Sequence, residues 1–441
     1  MTDPKVTNEV AGDTIADHQR ISVIMANFNG EAHITPAIRS VLEQTHHNLE
    51  LIVSDDGSSD ESCSIVRATM AQDRRVRLIE SETAACGPAT ARNRALNMAT
   101  GDWVAIVDAD DIIHPERLSR LLHCAVTLEA DLVADDLIHF GDGASQNHKT
   151  LLQDLRLKHP KEIDAAALVS GNLDGCKNIQ LGYLKPLIRK AALGDLRYDE
   201  GLRIDEDHDL YLRLLLANAR FTLIPDAMYL YRRHAGSVSY RFDETSLRKM
   251  IAAQSALLNT LPRTREPLRR AVENRVKHHE LQLKYIRLVE ALKARDTVSA
   301  MSQMMRHPRC APLLIQSLIE RGRRSRRKPS TTRQCKKIVL CARGHVRQAD
   351  YPDYTIIHVP DAPGTGYTPS AARIWAELAA LSDNHDLDIL AYGRAGQFAL
   401  GLVPAFKTAQ LFSAGGEKLT LHATGGHGAT TQSFGICAEG A

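Results

Sequence analysis

The stretch TGDWVAIVDADDIIHP, residues 100–115, predicts how the first half of this chain folds. Residues 103–107 form a short apolar run rich in β-branched side chains, which is typical of a buried strand. The run ends in three acids, Asp108, Asp110 and Asp111. Because the ligands of an open α/β sheet bind just beyond the carboxyl ends of its strands, we expect these carboxylates at a ligand site.

Carboxylates crowded at the end of one strand repel one another unless a cation joins them. Hard oxygen ligands suit Mg²⁺ or Mn²⁺, so these acids are candidate metal ligands. The alternative is a solvated Asp-rich turn, which is the usual interpretation of an isolated D-x-D motif. Other motifs in the chain must therefore decide whether these acids bind a metal ion or form a solvated turn.

Strand and helix patterns alternate around this stretch. Apolar runs at residues 21–26, 49–53 and 76–79 predict strands, and a helical pattern follows each of them. We therefore predict the α/β class, with a Rossmann-like, mostly parallel sheet flanked by helices. The weakly patterned residues 141–180 are expected to form loops and short helices over the site.

Changes in sequence character predict four parts of the chain. They are a polar N-terminal tail (1–20), an α/β domain (21–240), a helical basic segment or linker (241–334) and a small C-terminal α/β unit of unknown role (335–441). Residues 321–337 contain nine basic residues and no acid, which fits either a solvated linker or a contact surface for anions.

Composition excludes several classes of protein. Of 441 residues, 44% are hydrophobic and 24% charged, as in ordinary globular proteins, and the net charge of +2 does not indicate a nucleic-acid partner. The eight cysteines form no C-x-x-C pair, which argues against a zinc module or a disulfide framework. With no signal peptide pattern and no apolar run of about 18 residues, we expect a cytoplasmic protein, at most peripheral at the inner face of the membrane.

Two further motifs carry chemistry near the predicted sheet edge. Asp55 and Asp56 follow the second predicted strand, where a carboxylate can accept hydrogen bonds from a base or ribose and Gly57 allows close approach. An Asx-type turn is the alternative. Arg92 precedes the Asp-rich strand and suits a phosphate or an acidic neighbour, or is an ordinary surface arginine.

The run Asp205-Glu206-Asp207-His208-Asp209 starts another predicted helix, where acids interact favourably with the helix dipole. A carboxylate in this run can instead take a proton from a hydroxyl in a closed site. His234 is either a satisfied loop or core histidine or a contact to a pyrophosphate or metal.

Taken in order, these pieces resemble family 2 glycosyltransferases, which are inverting nucleotide-sugar enzymes of GT-A fold. The matching segments are ISVIMANFNG (21–30), VSDDGSSD (53–60), GPATARNRAL (87–96), GDWVAIVDADD (101–111), DEDHDLYLRL (205–214) and YLYRRHAGSVS (229–239). Within the family, the chain is similar to enzymes that extend bacterial exopolysaccharides such as succinoglycan.

The resemblance implies a nucleotide and metal site. Asp56, with Asp55 beside it, would contact the base, while Ala26 and Phe28 line the nucleotide pocket. Many members have a polar residue where Ala26 stands. Asp108 would bind the ribose and the metal, and Asp110 would bind the divalent cation (Mn²⁺ or Mg²⁺). Arg92 would lie near the donor diphosphate.

The resemblance also implies the catalytic group. Asp207, next to Glu206, matches the general base of the family, although Asp205 and Asp209 are rival candidates. Glu206 and His234 are candidates for contacts with the acceptor or a phosphate. His234 lies in the R-x-H-x-x-S segment of the family.

The implied activity is inverting transfer of a hexose from a nucleotide-diphosphate sugar, a UDP-sugar, to a glycan or lipid-linked saccharide in surface polysaccharide synthesis. The basic residues 321–337 are a candidate contact with an anionic membrane. The alternative is a degenerate GT-A protein that binds nucleotide or a partner without catalysis. A nucleotidyltransferase is disfavoured by the lack of a Gly-rich basic loop after the first strand, and a dehydrogenase by the lack of G-x-G-x-x-G.

Overall fold

The computed structural model describes most of the first three quarters of the chain and short parts of the rest. The described residues are 18–81, 85–141, 150–233, 243–315, 317, 319, 334–341, 347–358, 385–392, 408–412, 418–419, 422–424 and 433–435.

The α/β part begins with four strands and three helices in alternation. These are β1 (Ile21–Asn27), α1 (Ile34–Leu42), β2 (Leu49–Asp55), α2 (Ser62–Met70), β3 (Val76–Glu80), α3 (Pro88–Met98) and β4 (Trp103–Ile106). It continues with β5 (Ile112–Ile113), α4 (Arg117–Thr127), β6 (Leu132–Gly141), β7 (Lys161–Ile163), α5 (Ala165–Ser170), β8 (Leu187–Arg189), α6 (Lys190–Leu193), α7 (Glu206–Leu216) and β9 (Phe221–Arg233).

These strands form one sheet in the order β3-β2-β1-β4-β8-β6-β9-β5, with β7 paired to β9. The first four strands are parallel, and β6 is parallel to β9. The remaining pairs are antiparallel, with β8 between β4 and β6. The α/β class is confirmed, and the added antiparallel strands make the sheet mixed.

The strand directions bring the predicted site residues to one edge. Since β1 pairs in parallel with both β2 and β4, the residues that follow these three strands meet at the same side of the sheet. Strand β8 runs the opposite way, with Leu187 opposite Ala105. Lys185, two residues before β8, therefore approaches Asp108.

Two local features differ from what the sequence pattern predicts. The apolar runs at residues 221–224 and 228–231 predict two short strands, but both belong to one strand, β9. Pro225 has no N–H to give to a ladder, and the pairing of β6 with β9 shifts register between Ala134 and Leu137 instead of ending. The segment His114-Pro115-Glu116 predicts the start of a helix, but α4 begins after it, at Arg117.

Three helices follow the α/β part: α8 (Glu244–Thr260), α9 (Glu266–Lys293) and α10 (Thr297–Arg306). Leu268, Ala271 and Val272 of α9 are buried in the same hydrophobic core as the central strands. No described helix is both long enough and apolar enough to span a bilayer.

The C-terminal part contains a separate sheet. Its strands are β10 (Gln334–Cys341), β11 (Thr355–His358), β12 (His385–Tyr392), β13 (Thr408–Phe412) and β14 (Lys418–Leu419), in the order β11-β10-β12-β13-β14. A short pair, β15 (His422–Thr424) and β16 (Ser433–Gly435), follows. The apolar spacing of residues 371–381 predicts a helix, and this segment lies outside the described residues.

A buried ion pair supports the sheet behind the site. Arg117 and Asp135 are fully buried, with Arg117 Nε 3.0 Å from each Asp135 carboxylate oxygen. The same guanidinium donates to the carbonyl oxygen of Lys185 and lies over the ring of Tyr229, 4.8 Å from its centroid. The pair therefore supports the backbone that presents Lys185.

We predict that Asp135→Ala lowers the free energy of unfolding by about 3–5 kcal/mol, because it leaves a buried guanidinium without its counter-charge. Urea unfolding followed by circular dichroism measures the loss. The control, Asp174→Asn, removes the charge of an exposed pair with Lys161 and suits the left-handed backbone there (φ 48°), so it should cost less than about 1 kcal/mol. Equal losses in the two variants would contradict the prediction.

Candidate active site

A cavity of about 900 Å³ opens at the carboxyl edge of the main sheet. This volume lies within the range of small-molecule sites. Its walls are the end of β1 and the segment after it, the segment after β4, the end of α5 with residues 171–172, residues 178–183, the start of α7 and one face of α9. The loop expected over the site thus forms part of the cavity wall.

Four buried charged side chains and the partly exposed Asp108 meet in this cavity and are called here the ion-pair cluster: Arg92, Asp108, Lys185, Glu206 and Asp207. Arg92 Nη1 is 2.7 Å from Glu206 Oε1, and Arg92 Nη2 is 2.7 Å from Asp108 Oδ1. Lys185 Nζ is 2.8 Å from Asp108 Oδ2 and 2.7 Å from Asp207 Oδ2. The two cations thus join the end of β4 to the start of α7.

The surroundings of the ion-pair cluster shift the pKa values of Asp108 and Glu206 in opposite directions. Although burial opposes ionisation, Lys185 and Arg92 hold the pKa of Asp108 well below its usual range. Burial raises the pKa of Glu206 to about 7, against the opposing effect of Arg92. Asp108 is therefore ionised at neutral pH, whereas Glu206 can exchange a proton there.

Both carboxylate oxygens of Asp207 lie beside a cation. Its Oδ2 accepts from Lys185, while its buried Oδ1 accepts no hydrogen bond among the described residues and lies 3.3 Å from Arg92 Nη1. The residue lines the cavity, where a carboxylate can take a proton from a bound hydroxyl.

The rival acids around Asp207 lie in different surroundings. Asp205 is the N-cap of α7 and has a left-handed backbone with φ of 74°. Its Oδ1 is 2.7 Å from Arg275 Nη2 of α9. Asp209 accepts from Arg213 at 2.8 Å and does not line the cavity. Of the three aspartates, only Asp207 belongs to the ion-pair cluster.

The carboxylate of Asp55 stabilises the turn that begins at this residue. It accepts hydrogen bonds from Asn27 Nδ2, from the Gly57 and Ser58 backbone N–H groups and from the Ser58 hydroxyl, at 2.6–3.0 Å. Gly57 has a φ of 82°, which suits this turn. The Asx-type turn weighed in the sequence is present.

Asp56 is likewise buried beside the cavity rather than in its wall. It accepts from the Gly87 N–H at 2.7 Å and from Arg94 Nη2 at 2.9 Å. A contact of Asp55 or Asp56 with a nucleotide base stays a prediction.

Three of the residues predicted for the nucleotide and metal site line the cavity: Ala26, Phe28 and Asp110. The Phe28 side chain is 51% exposed there and can stack on a planar ligand. Asp111 does not line it, because its oxygens accept from the Tyr229 hydroxyl (2.6 Å) and the Arg232 N–H (2.7 Å). His234 lies outside the described residues.

Asp108 and Asp110 offer the hard oxygen donors that Mg²⁺ and Mn²⁺ prefer. Within the described part of the chain, no three His, Cys, Asp or Glu side chains are grouped so that they would hold a metal ion by themselves. A divalent cation held by one or two carboxylates and by substrate phosphates fits this donor set.

Lys185 and Arg275 were missed by the sequence analysis. A lone lysine before a three-residue strand carries no local signal, and its place follows only from the antiparallel pairing of β8 with β4. Arg275 lies in a helix that the sequence assigned to a linker. The sequence of residues 266–293 alternates charged and apolar positions, but it does not show which face of the helix meets the cavity.

Comparison with known proteins identifies the family of this chain. The family model described as Glycosyl transferase family 2 matches residues 22–181. Succinoglycan biosynthesis protein ExoO of Rhizobium meliloti is 30% identical over 310 residues, which cover 68% of this chain and 84% of the relative. The chain belongs to glycosyltransferase family 2.

A second relative of this glycosyltransferase is succinoglycan biosynthesis protein ExoU of Rhizobium meliloti, 30% identical over 310 residues (69% of this chain, 89% of the relative). A similar solved structure is S. aureus TarS 1–349 in complex with UDP-GlcNAc. It has 21% identity and a TM-score of 0.46, and the match covers 66% of this chain and 92% of that one. The resemblance drawn from the sequence motifs is confirmed by the family match and the two relatives.

Proposed function

We propose that this glycosyltransferase transfers a hexose from a UDP-sugar, with inversion, to a glycan or lipid-linked saccharide in the synthesis of bacterial exopolysaccharide. The ion-pair cluster carries the proposal, because it joins the Asp-rich end of β4 to the acids that start α7 within one cavity. The likeness to ExoO and ExoU, both named for succinoglycan biosynthesis, supports the class of product.

The donor half of the site comprises the segments after β1 and β4. Ala26 and Phe28 bound the nucleotide, and Asp108 binds the ribose and, with Asp110, the cation. Bound Mn²⁺ or Mg²⁺ would offset the negative charge that develops on the departing nucleoside diphosphate. Asp55, Asp56 and His234 keep their predicted roles at the base and the donor phosphates as part of this proposal.

Arg92 and Lys185 suit the diphosphate itself. Both are buried cations that face the cavity, and an arginine can bind two phosphate oxygens at once. They also contact Asp207, so the donor diphosphate and the base share the same two cations.

Asp207 acts as general base in this proposal. Its carboxylate takes the proton from an acceptor hydroxyl, whose oxygen forms a bond to the anomeric carbon from the face opposite the diphosphate. The bond between that carbon and the diphosphate oxygen breaks, and the nucleoside diphosphate leaves with the electron pair. The contacts of Asp207 with Arg92 and Lys185 in the cavity support this assignment over Asp205, which pairs with Arg275, and over Asp209, which does not line the cavity.

We predict that the wild-type protein releases nucleoside diphosphate from one member of a nucleotide-sugar panel only with Mn²⁺ or Mg²⁺. Asp110→Ala should abolish that release, because it removes a cation ligand, while the exposed control Asp174→Asn should not. Metal-independent release, or full release by Asp110→Ala, would contradict the metal site. Metal-dependent UDP binding without release from any donor, whether or not saccharide acceptors are added, would favour a degenerate, nucleotide-binding protein over a transferase that strictly requires its acceptor.

The base assignment predicts different results for two neighbouring aspartates. Asp207→Asn should lower transfer by at least about 10²-fold, the lower range for a general base, with UDP affinity unchanged. Asp209→Asn, which alters a carboxylate paired with Arg213 away from the cavity, should keep transfer near the wild-type rate. The reverse pattern would move the role to Asp209.

We also propose peripheral contact with an anionic membrane. Val298, Met301 and Met305 lie on one face of α10 and are 79%, 69% and 74% exposed. The basic residues 321–337 follow in the sequence, and 321–333 lie outside the described residues. Apolar and basic groups in succession favour anionic lipid surfaces.

Co-sedimentation with phosphatidylcholine vesicles, with and without phosphatidylglycerol, tests this contact. We expect binding that increases with the anionic lipid and decreases in Met301→Glu, because that change places a carboxylate on the exposed apolar face. Binding that is independent of phosphatidylglycerol would contradict it. The cytoplasmic location stays a prediction, as do the domain boundaries, although the packing of α9 favours its inclusion with the α/β domain.

A further inference from the structure

One face of α9 forms a wall of the same cavity that the ion-pair cluster lines. Its residues recur every three or four positions, which places them on one side of a helix: Ala271, Asn274, Arg275, His278, His279 and Gln282. A helix face packed against a protein interior is normally apolar. This face is polar at every position except Ala271, and Asn274 and His278 on it are exposed, so a polar ligand in the cavity can reach them.

Some buried polar atoms on this face accept or donate no hydrogen bond within the described ranges of the chain. His279 is only 5% exposed, and its Nδ1 has no hydrogen-bond partner in the described part of the chain. The same is true of the buried Oε1 of Gln282. Buried polar atoms are usually paired, so these two indicate a ligand that brings its own hydrogen-bonding groups.

Contacts between side chains connect this face to Asp207 and to the donor half. Asp108 contacts Lys185, and Lys185 contacts Asp207. Asp205, two residues before Asp207, contacts Arg275 of α9 at 2.7 Å. Asp207 and the polar face of α9 line the same cavity.

We propose that Asn274, His278, His279 and Gln282 form the acceptor subsite, which binds hydroxyl groups of a saccharide. This inference rests on the proposed function, because in an inverting displacement the acceptor enters on the side of the base, opposite the leaving diphosphate. Amide and imidazole groups both donate and accept hydrogen bonds, as sugar hydroxyls do. Arg275 holds the left-handed Asp205 turn and so acts as a positioning residue.

The location of α9 in the chain suits a role in acceptor selection. The helix begins well after residue 181, where the match to the family model ends. Changes on its polar face can alter acceptor contacts without altering the side chains that we assign to the nucleotide and the cation. We therefore assign discrimination among acceptors to this face.

Two variants test the subsite against a matched control. His278→Ala and Gln282→Leu remove polar groups from the cavity wall, and Lys277→Ala changes an exposed neighbour that does not line it. The probes are p-nitrophenyl glycosides of glucose, galactose, mannose and N-acetylglucosamine in both anomeric forms. Their binding is measured by saturation-transfer NMR with UDP and Mn²⁺ present.

We expect at least one glycoside to bind the wild-type protein and the Lys277→Ala control. Each of the two wall variants should weaken that binding by about tenfold, since each loses hydrogen bonds to the sugar. UDP affinity, measured by calorimetry with Mn²⁺, should be unchanged in all three variants.

Unchanged glycoside binding in both wall variants would overturn the subsite, as would a panel of which no member binds the wild-type protein. These outcomes leave the donor site intact, because UDP binding is measured separately. Failure of the wild-type protein to bind UDP with Mn²⁺ would contradict the proposed function instead.

Discussion

The pairing of two buried cations with three carboxylates is the interaction on which the site depends. Arg92 and Lys185 bring together α3, the end of β4, the segment before β8 and the start of α7. A charge removed from water is strongly unfavourable unless it is paired. The cluster is therefore compatible only with a fold in which these separate segments meet, and that meeting creates the cavity.

Contacts around the cluster restrict its members further. Arg117 supports the backbone of Lys185 from the core side, and Asn93 exchanges hydrogen bonds with the backbone of Tyr198, whose ring lies beside Arg92. On the opposite side, Arg275 holds Asp205 next to the start of α7. Side chains positioned in this way need little reorganisation when substrates bind, which favours catalysis.

The motif-based predictions differ in how well they describe individual side chains. Asp108, Asp110, Arg92 and Asp207 all lie at the cavity, where the motifs placed them. Asp55 and Asp111 have the same acidic character in the sequence, yet their oxygens are used by a turn and by β9. Residue type and spacing predict which side chains reach the sheet edge, but not which of them the protein itself pairs.

The sequence by itself determined the alternating strands and helices, the α/β class and the family, because periodicity and turn residues act over a few neighbouring positions. Only the tertiary structure decided that Lys185 joins Asp108 to Asp207, since that contact depends on β8 running antiparallel to β4. It also decided that α9 lines the cavity. Both depend on packing between segments distant in the chain, for which local patterns carry no information.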